Sequence, residues 1–437
     1  MNKNISIVGL GKLGACMLAA YASRGHRAIG VDINQSYINA VNKGEPPVEE
    51  TDLKKYLSEN IDRISATQDY SQAIKNSEIT FIIVPTPTDK IGGFSLNYIL
   101  NACIDIGKTL RQKNSYHLIV LTSTVLPLDC ENKIIPTLEK YSSKKCGIDF
   151  GFCYSPEFIA IGSVIRDLLN PDFFLIGEFD KKSGDMLETF YSTTSSNSAK
   201  VKRMNIPSAE LTKISLNHFL TTKITFANML AEIADQLPNV NVDVVTDAMG
   251  NDTRIGNKYL KGGLGYGGPC FPRDNRAFAF TAKRIGIRAP YAKITDDYNL
   301  SIPEKIIKKI LKHAPPSSKI GILGLSYKTG TGFCEESQGL AIAKKLIDLN
   351  YQINVFEING FSHAKTILGE SVNYKKNLDN LLNNSNVILL TNWDKNNQAI
   401  KNIKIAQKII IIDPWRQFIA SDFSKLVTYI PLGIGPK

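Results

Sequence analysis

The chain has 437 residues, which is too long for one ordinary domain and predicts two or three. Its 43% apolar and 21% charged residues are typical of a globular protein. Seven cysteines at scattered positions form neither a disulfide framework nor a CxxC metal pattern. They favour a reducing compartment, so we expect a cytoplasmic protein with no metal site.

The formal net charge of +11 raises the question of a nucleic-acid partner. The Lys and Arg residues are spread along the chain without a run of five or more, which indicates a generally basic surface instead. No apolar run reaches the roughly 18 residues that cross a bilayer. The glycines from Gly9 onward interrupt the N-terminal apolar stretch too early for a signal peptide. We expect neither a nucleic acid nor a membrane as partner.

The first part of the chain alternates short apolar runs with helical stretches, a pattern typical of βαβ units and a parallel sheet. Continuous apolar runs are expected for strands that helices cover on both faces. The predicted strands are Ile5–Val8, Ala28–Val31, Thr80–Val84, His117–Leu121 and Phe173–Gly177, with a further short strand at Phe150–Cys153.

One long amphipathic helix is predicted from about Ser208 to Asp235, between Pro207 and Pro238. Its length of about 28 residues corresponds to about 40 Å, which is long for a single domain. We therefore predict a helix that connects domains and contributes to a homodimer contact. The apolar residues that recur at steps of three and four are Leu211, Ile214, Leu220, Ile224, Ala227, Leu230 and Ile233.

After a loop at Ala314–Ser318 the α/β alternation returns. The sequence from Ile320 repeats the pattern that begins at Ile5, and Glu357 ends its second strand as Asp32 ends the second strand of the first half. The fold class is therefore α/β, with two Rossmann-like, doubly wound parallel-sheet domains joined by a long central helix. The predicted strands of the second half are Ile320–Leu323, Gln352–Phe356, Val387–Thr391 and Lys408–Ile412, and the predicted domains are 1–205, 206–313 and 314–437.

A glycine fingerprint, Gly9, Gly11 and Gly14, follows the first predicted strand and opens a helix. The first glycine permits a tight turn, the second lets the backbone approach a pyrophosphate and the third allows close helix–strand packing. Asp32 ends the next strand, where a carboxylate binds ribose hydroxyls and repels a 2′-phosphate. The segment predicts an NAD-binding domain.

A second constellation is a glycine-rich loop at residues 262–268, followed by Cys270 and Asp274. Bare backbone of this kind can approach a ligand closely. Glu157 follows the short strand Phe150–Cys153, and Lys213 and Asn217 are four residues apart on the long helix. Each of these features alone is compatible with a structural or solvent-exposed role.

Together these residues suit the oxidation of an alcohol to an acid, which removes two hydrides with an aldehyde between them. The first oxidation needs a base and donors for the developing charge. The second needs a nucleophile, because an aldehyde gives up no hydride until it becomes tetrahedral. A cysteine thiolate supplies that nucleophile, and the product thioester then requires hydrolysis. The set predicts an NAD-dependent four-electron oxidation.

The chain resembles the UDP-glucose/GDP-mannose dehydrogenase family nearly from end to end. The resemblance implies the oxidation of a nucleotide sugar by NAD, two Rossmann-like domains and a dimer built on the central helix. The motifs that carry it, in the family's order, are the N-terminal fingerprint, Pro85-Thr-Pro87, Ser123-Thr124-Val125, Ser155-Pro-Glu157-Phe158, Ala209-Glu-Leu-Thr-Lys213 with Asn217, and the Cys270 loop.

The resemblance also implies roles for single residues. Cys270 is the expected nucleophile, Glu157 the acid/base for thioester hydrolysis, and Thr124 a residue that helps to place water. Lys213, Asn217 and Asp274 are expected to hold the sugar oxygen and a water. The implied NAD contacts are Gly9, Gly11, Lys12, Leu13, Gly14, Asp32, Pro85, Thr86, Ser123, Thr124 and Arg273, and the implied substrate contacts are Glu157, Phe158, Ile159, Lys213, Asn217, Arg254, Tyr259, Gly263, Tyr266, Gly267, Tyr327, Lys328 and Arg416.

Three positions depart from the family pattern. Arg273 stands where the family usually has Lys, Glu335 where it has Arg, and Arg416 lies one residue later than the usual arginine. UDP-glucose is the expected substrate, with UDP-N-acetylmannosamine, UDP-N-acetylglucosamine and GDP-mannose as alternatives. A 3-hydroxyacid dehydrogenase would need neither Cys270 nor the second α/β region, and a nucleotide-binding sensor would not need the cysteine, lysine and glutamate together.

Overall fold

The computed structural model describes residues 2–392 and 394–436. The chain divides into two compact units, Met1–Ser215 and Leu216–Lys437. Each unit is built around its own parallel sheet, so the predicted α/β class with two Rossmann-like sheets is confirmed.

The sheet of the first unit has, within the described residues, eight strands in the order β3-β2-β1-β4-β5-β6-β7-β8. All neighbouring strands are parallel except β6 and β7, which are antiparallel. The order reverses between β1 and β4, which is where ligands bind in doubly wound sheets. The strands are β1 (Asn4–Val8), β2 (Arg27–Val31), β3 (Ile64–Thr67), β4 (Ile79–Ile82), β5 (Leu118–Leu121), β6 (Gly151–Tyr154), β7 (Phe173–Glu178) and β8 (Lys200–Asn205).

The predicted strands of this unit are confirmed, and two strands were not predicted. β8 reads Lys-Val-Lys-Arg-Met-Asn, and β3 has four residues of which two are polar. Both lie at an edge of the sheet, where one side is open to water and a continuous apolar run is not required. The apolar-run criterion therefore detects the central strands and fails at the edges.

Helices cover both faces of the first sheet and form two apolar cores with it. A 3₁₀ turn at Ile61–Arg63 and a π-helical turn at Cys130–Ile134 interrupt the regular pattern. The helices are α1 (Lys12–Ser23), α2 (Gln35–Asn42), α3 (Leu53–Glu59), α4 (Tyr70–Lys75), α5 (Asn97–Arg111), α6 (Ile135–Ser142), α7 (Val164–Leu169) and α8 (Lys181–Thr194).

A chain of polar side chains runs through the interior of this sheet. Lys113 Nζ donates to His117 Nδ1 (3.0 Å), and His117 Nε2 lies 2.7 Å from Thr80 Oγ1. Thr80 in turn bonds to Ser6 Oγ (2.7 Å), which contacts Ser77 Oγ (3.0 Å). Burial lowers the pKa of His117 to about 3, so the imidazole is neutral and uses one nitrogen as acceptor and the other as donor.

The long helix α9 extends from Ile206 to Ala234, beginning in the first unit and ending in the second. Its existence and length are confirmed, and its apolar residues divide between the core and the surface. Leu211 and Ile233 are each 47% exposed, whereas the polar side chains of Thr221 and Asn228 are buried. Small and polar residues face the neighbouring helices and loops because they let backbone segments approach closely.

The second unit contains a fully parallel sheet that has, among its described residues, six strands in the order β11-β10-β9-β12-β13-β14. The strands are β9 (Lys319–Leu323), β10 (Gln352–Phe356), β11 (Asn373–Tyr374), β12 (Val387–Leu390), β13 (Ile409–Asp413) and β14 (Val427–Pro431). The helices are α10 (Val242–Gly250), α11 (Phe271–Arg284), α12 (Pro290–Leu311), α13 (Gln338–Asp348), α14 (Phe361–Leu368) and α15 (Leu378–Asn383), with 3₁₀ turns at Lys395–Asn402 and Ala420–Asp422.

The four strands predicted for this unit are confirmed as β9, β10, β12 and β13, and the edge strands β11 and β14 were not predicted. Apolar cores again lie on both faces of the sheet. In the part of the chain that the structure describes, no helix has the length and apolar character needed to cross a membrane.

Candidate active site

The turn after β1 has the shape that a dinucleotide site requires. Gly9 has a φ of +100°, and a Cβ there would lie 2.4 Å from the carbonyl oxygen of Ile83. A Cβ on Gly14 would lie 1.8 Å from the carbonyl oxygen of Gly9, so α1 packs against the turn at backbone distance. No atom lies within 4 Å of a Cβ built on Gly11, which leaves space beside the start of α1. These observations fit a pyrophosphate at the N-terminus of α1.

Asp32 lies directly after β2, at the carboxyl edge of the sheet. Its Oδ2 accepts from the backbone N–H of Leu10 (2.6 Å) and its Oδ1 from that of Asn34 (2.8 Å). These two bonds fix the carboxylate beside the glycine turn and leave acceptor capacity on both oxygens for ribose hydroxyls. Lys12 and Leu13, also predicted to contact the cofactor, are partly exposed in the first turn of α1.

The loops after β4 and β5 are bonded to each other. Ser123 Oγ donates to the carbonyl oxygen of Val84 (2.7 Å) and accepts from its N–H (2.9 Å). Thr86 Oγ1 donates to the carbonyl oxygen of Thr124 (2.9 Å). The predicted cofactor residues Thr86, Ser123 and Thr124 therefore form one hydrogen-bonded edge next to the switch point of the sheet. Pro85, which precedes Thr86, is exposed at this edge.

Glu157 and Lys213 are brought together within the first unit. Lys213 Nζ donates to the carbonyl oxygen of Glu157 (2.7 Å) and lies 4.7 Å from the centre of the Phe158 ring. Burial raises the pKa of the Glu157 carboxyl to about 7, although the charge of Lys213 lowers it. A carboxyl group with this pKa can both accept and release a proton near neutral pH. Ile159 packs, partly buried, against the first core.

Cys270 is exposed, whereas the other six cysteines are buried and all seven are free thiols. It is the N-cap residue of α11, whose N-terminus favours negative charge on the adjacent sulfur. Among the cysteines, Cys270 is thus the one whose position suits a nucleophile.

Asp274, one turn into α11, is fully buried and bonded on both oxygens. Asn217 Nδ2 donates to Oδ2 (2.7 Å), and Arg273 Nε donates to Oδ1 (2.9 Å). The second unit therefore brings together Asn217, Arg273 and Asp274, with Cys270 at the start of the same helix. The hydrogen bonds to Asp274 fix the orientation of the Asn217 amide and the Arg273 guanidinium, so this group of polar side chains can hold a hydroxyl or a water.

The residues Gly262–Gly268, which we call the glycine loop, are approached closely by other side chains and backbone. A Cβ on Gly263 would lie 2.4 Å from the indole ring of Trp415, and a Cβ on Gly268 would lie 2.5 Å from the ring of Tyr327. At Gly267 a Cβ would lie 2.4 Å from the carbonyl oxygen of Glu336. The glycines are therefore needed for packing, because any side chain would collide.

A pocket of about 320 Å³ lies beside the glycine loop, within the size range of small-ligand sites. Five of the predicted substrate residues line it: Tyr259, Tyr266, Gly267, Tyr327 and Lys328. Phe271, expected from the sequence beside Tyr266, lines it too, as do Lys261 and Trp415, which were not predicted. Tyr327 and Lys328 follow β9, and Trp415 follows β13, so the carboxyl edge of the second sheet forms part of the wall.

The two remaining arginines of the predicted set are arranged differently from each other. The Arg254 side chain is 87% exposed and bonds to the nearby carboxylate of Asp252 (2.6 Å). Arg416 uses all five of its N–H groups on protein acceptors: both oxygens of Asp243 and the carbonyl oxygens of Gly262, Pro414 and Leu432. A direct nucleotide contact by Arg416 would require it to give up one of these bonds.

Several buried polar residues beside the site were missed in the sequence. Asn228 and Asn299 bond to the backbone of the glycine loop, and Asn275 accepts from His218 Nδ1 (2.6 Å) and Thr221 Oγ1 (3.3 Å). Their signal was weak but present, because a polar residue at an otherwise apolar helical step needs an internal partner. In the described residues no group of three or more His, Cys, Asp or Glu is arranged to hold a metal ion.

Three comparisons with known proteins point to the same family. Models of the UDP-glucose/GDP-mannose dehydrogenase family match the chain over residues 3–195 (NAD binding domain), 207–301 (central domain) and 321–419 (UDP binding domain). GDP-mannose 6-dehydrogenase of Pseudomonas savastanoi pv. phaseolicola is 34% identical over 414 residues, or 91% of this chain and 93% of its own. UDP-glucose 6-dehydrogenase of Rickettsia bellii is 31% identical over 433 residues, or 98% and 93%.

The structure is also similar to that of a UDP-glucose dehydrogenase from the archaeon Pyrobaculum islandicum. The TM-score is 0.89 with 27% sequence identity, and the match covers 100% of this chain and 98% of the other. The glycine turn, the acidic residue after β2 and the matching NAD binding domain define an NAD-dependent oxidoreductase. More specifically, the chain belongs to the UDP-glucose/GDP-mannose dehydrogenase family, as the resemblance in its motifs indicated.

Asp32→Ala should weaken NAD binding about ten-fold or more and reduce the preference for NAD over NADP, because the carboxylate that bonds ribose hydroxyls is removed. Titration of the purified protein with each cofactor measures both effects. Glu357→Ala is the matched control, since Glu357 occupies the equivalent place after β10 in the second sheet. Equal NAD affinity in the Asp32 variant and the wild type would contradict the assignment.

Proposed function

We propose that the protein oxidises the C6 alcohol of a nucleotide-bound hexose to the carboxylate, with UDP-glucose as the first candidate and UDP-glucuronate as its product. The observation that carries the proposal is Cys270, the exposed cysteine, at the N-terminus of α11 beside the Asn217–Asp274 pair. A simple alcohol dehydrogenase does not need such a nucleophile. NAD, when bound, supplies the hydride acceptor.

In the first oxidation the substrate hydroxyl passes its proton to a water, and the developing oxyanion needs donors. The ammonium group of Lys213, a residue that is 8% exposed, and the amide of Asn217 are the groups that we assign to this stabilisation. Asp274 accepts from Asn217 and Arg273, which fixes the direction of the Asn217 amide. We assign Thr124 the placement of a water.

In the second oxidation the Cys270 sulfur adds to the aldehyde carbon to form a thiohemiacetal, whose carbon carries a hydride that can leave. Loss of that hydride gives a thioester. Water then attacks the thioester carbon, the proton passes to Glu157, and the C–S bond breaks to return the thiolate. The raised pKa of Glu157 supports this role, because its carboxyl can take up and release a proton near pH 7.

The nucleotide is assigned to the pocket beside the glycine loop. Tyr259, Tyr327 and Trp415 offer aromatic surfaces, and Lys261 and Lys328 offer positive charge for a diphosphate. GDP-mannose is the second candidate substrate, because the relative at 34% identity is a GDP-mannose 6-dehydrogenase. We propose that Arg416 holds the glycine loop through the carbonyl oxygen of Gly262.

The test of this function is an endpoint assay with NAD and a panel of UDP- and GDP-sugars, followed by NADH absorbance. Two NADH per molecule of one sugar nucleotide are expected, because alcohol and aldehyde each give up one hydride. One NADH per molecule would reduce the proposal to an alcohol dehydrogenase. No NADH with any member of the panel would contradict it.

Cys270→Ser should abolish formation of the acid, by a factor of about 1,000 or more, because a hydroxyl is a much weaker nucleophile than a thiolate. NAD affinity should not change, since the glycine fingerprint and Asp32 lie in a separate unit. Cys146→Ser is the matched control, as that thiol is buried in the first unit. Full acid formation by the Cys270 variant would rule out the thioester route.

The pH profile of kcat should rise about ten-fold per pH unit up to about pH 7 and then level off. The reason is that Glu157 acts as a base only when ionised, and burial raises its pKa to about 7. Glu157→Gln should lower kcat and remove this limb. Glu210 is the matched control, because its pKa is also raised to about 7 by burial. If Glu210→Gln removes the rise of kcat with pH and Glu157→Gln retains it, the assignment to Glu157 is wrong.

We further propose a homodimer, and a division into an NAD domain (1–205), a central domain (206–313) and a nucleotide-sugar domain (314–437). Arg254 is exposed on the central domain. We assign it to the sugar site of the partner subunit, the role that the family resemblance implies. On α9 an apolar stripe is exposed, with Phe219 at 64%, Phe226 at 39% and Met229 at 38%. Such a stripe on one face of a helix is typical of an interface.

Phe219→Glu should therefore convert the dimer into a monomer, because it places a charge within the apolar stripe. Size-exclusion chromatography with light scattering measures the mass. Ile148→Glu is the control, since Ile148 is also exposed (74%) but lies in the first unit. A Phe219 variant that keeps the mass of the wild type would place the dimer contact elsewhere.

A further inference from the structure

The glycine loop has five glycines in seven residues, and its two side chains, Leu264 and Tyr266, are buried. The glycine backbone between and beside them needs restraint from other groups. Unrestrained glycine backbone has high conformational entropy. Cys270 follows the loop after one intervening residue and caps α11. The position of the cysteine sulfur therefore depends on groups outside the loop that fix its backbone.

Asn299, on α12, bonds to the backbone of Tyr266 in both directions. Its Oδ1 accepts from the Tyr266 N–H (2.9 Å) and its Nδ2 donates to the Tyr266 carbonyl oxygen (3.0 Å). The adjacent glycine makes this approach possible, because a Cβ on Gly265 would lie 2.1 Å from the same Oδ1. Asn299 is 4% exposed, so both bonds are shielded from water.

Asn228, on α9, makes an equivalent pair of bonds at the other end of the loop. Its Oδ1 accepts from the Gly263 N–H (2.8 Å) and its Nδ2 donates to the Leu264 carbonyl oxygen (3.2 Å). Its side chain is also buried, with 5% exposure. A Cβ on Gly262 would lie 2.6 Å from the carbonyl oxygen of Ala227, so the loop meets this part of α9 at backbone distance.

Each asparagine uses both ends of its side-chain amide, the carbonyl oxygen and the amino group, to bond to the backbone of the loop. A carboxylate could accept from the N–H but could not donate to the carbonyl oxygen, and a leucine of similar size could do neither. The side chain that satisfies both buried backbone groups at once is an amide. Two such contacts from two different helices restrain the loop against both translation and rotation.

We propose that Asn228 and Asn299 are positioning residues for the nucleophile: they fix the glycine loop so that Cys270 stays at the N-terminus of α11. The inference deepens the proposed function, because it assumes that Cys270 is the reacting group. The two asparagines act through the loop backbone.

The first measurement is the rate at which iodoacetamide alkylates Cys270 in the folded protein without any nucleotide. The reaction reports on this residue because the other six cysteines are buried. Cys270 is already exposed to the reagent, so loosening the loop does not make it more accessible. Loosening does move the sulfur away from the helix N-terminus that stabilises the thiolate. Asn299→Ala and Asn228→Ala should each slow alkylation about three-fold or more.

The matched control is Asn354→Ala on β10. Asn354 is 2% exposed and donates to the Asn384 carbonyl oxygen (2.7 Å) and to Ser385 Oγ (2.9 Å), away from the glycine loop. Its removal should cost similar stability in thermal unfolding and leave the alkylation rate as in the wild type. This comparison separates loss of positioning from general destabilisation.

The second measurement is steady-state kinetics on the sugar nucleotide that the panel identifies. In the two loop variants kcat should fall about ten-fold or more while KM for NAD stays within about two-fold, because misplacement of a reacting atom lowers the chemical step. Alkylation in both loop variants at the rate of the Asn354 control, or faster, would overturn the proposal. Because alkylation needs no substrate, this failure is distinct from a panel that gives no NADH.

Discussion

The proposed nucleophile Cys270 must be open to its substrate and yet held still, and the second requirement falls on a loop that is mostly glycine. The loop is fixed from outside, by two asparagine amides and by the bonds of Arg416 and the Glu335 carbonyl to its backbone. These groups reach the backbone because the loop consists largely of glycine. Its glycines are thus required by close packing, and the pocket assigned to the nucleotide lies beside them.

The two sheets share one architecture and use the acid after their second strand differently. Asp32 accepts two backbone N–H groups and keeps acceptor capacity for a ligand. Glu357 accepts four, from Leu325, Ser326, Asn359 and Gly360, which is about the full capacity of a carboxylate. The acid of the second sheet therefore stabilises its own turn. This difference explains why similar sheets can serve a dinucleotide in one unit and a different ligand in the other.

The sequence predicted the central strands, the long helix and the NAD fingerprint because each depends on local chemistry: apolar runs, helical steps and glycines at fixed spacing. It did not predict edge strands such as β8, which need no apolar run. It also missed Asn228, Asn299 and Trp415, because their partners are distant in sequence and their roles arise only in the folded chain. The periodicity argument did not identify Phe219, Phe226 and Met229 as exposed apolar residues of α9, since the same apolar steps suit a core and an interface.

The buried polar chain through the first sheet has a consequence for how that sheet assembles. Ser6 lies directly opposite Thr80 in the pairing of β1 with β4, and His117 precedes β5 on the other side. A shift of either strand by one residue would turn Ser6 or Thr80 to the opposite face and break the bonds between Ser6, Thr80 and His117. Misregistered pairings therefore leave buried polar groups without partners, so the polar chain favours the native strand alignment during folding.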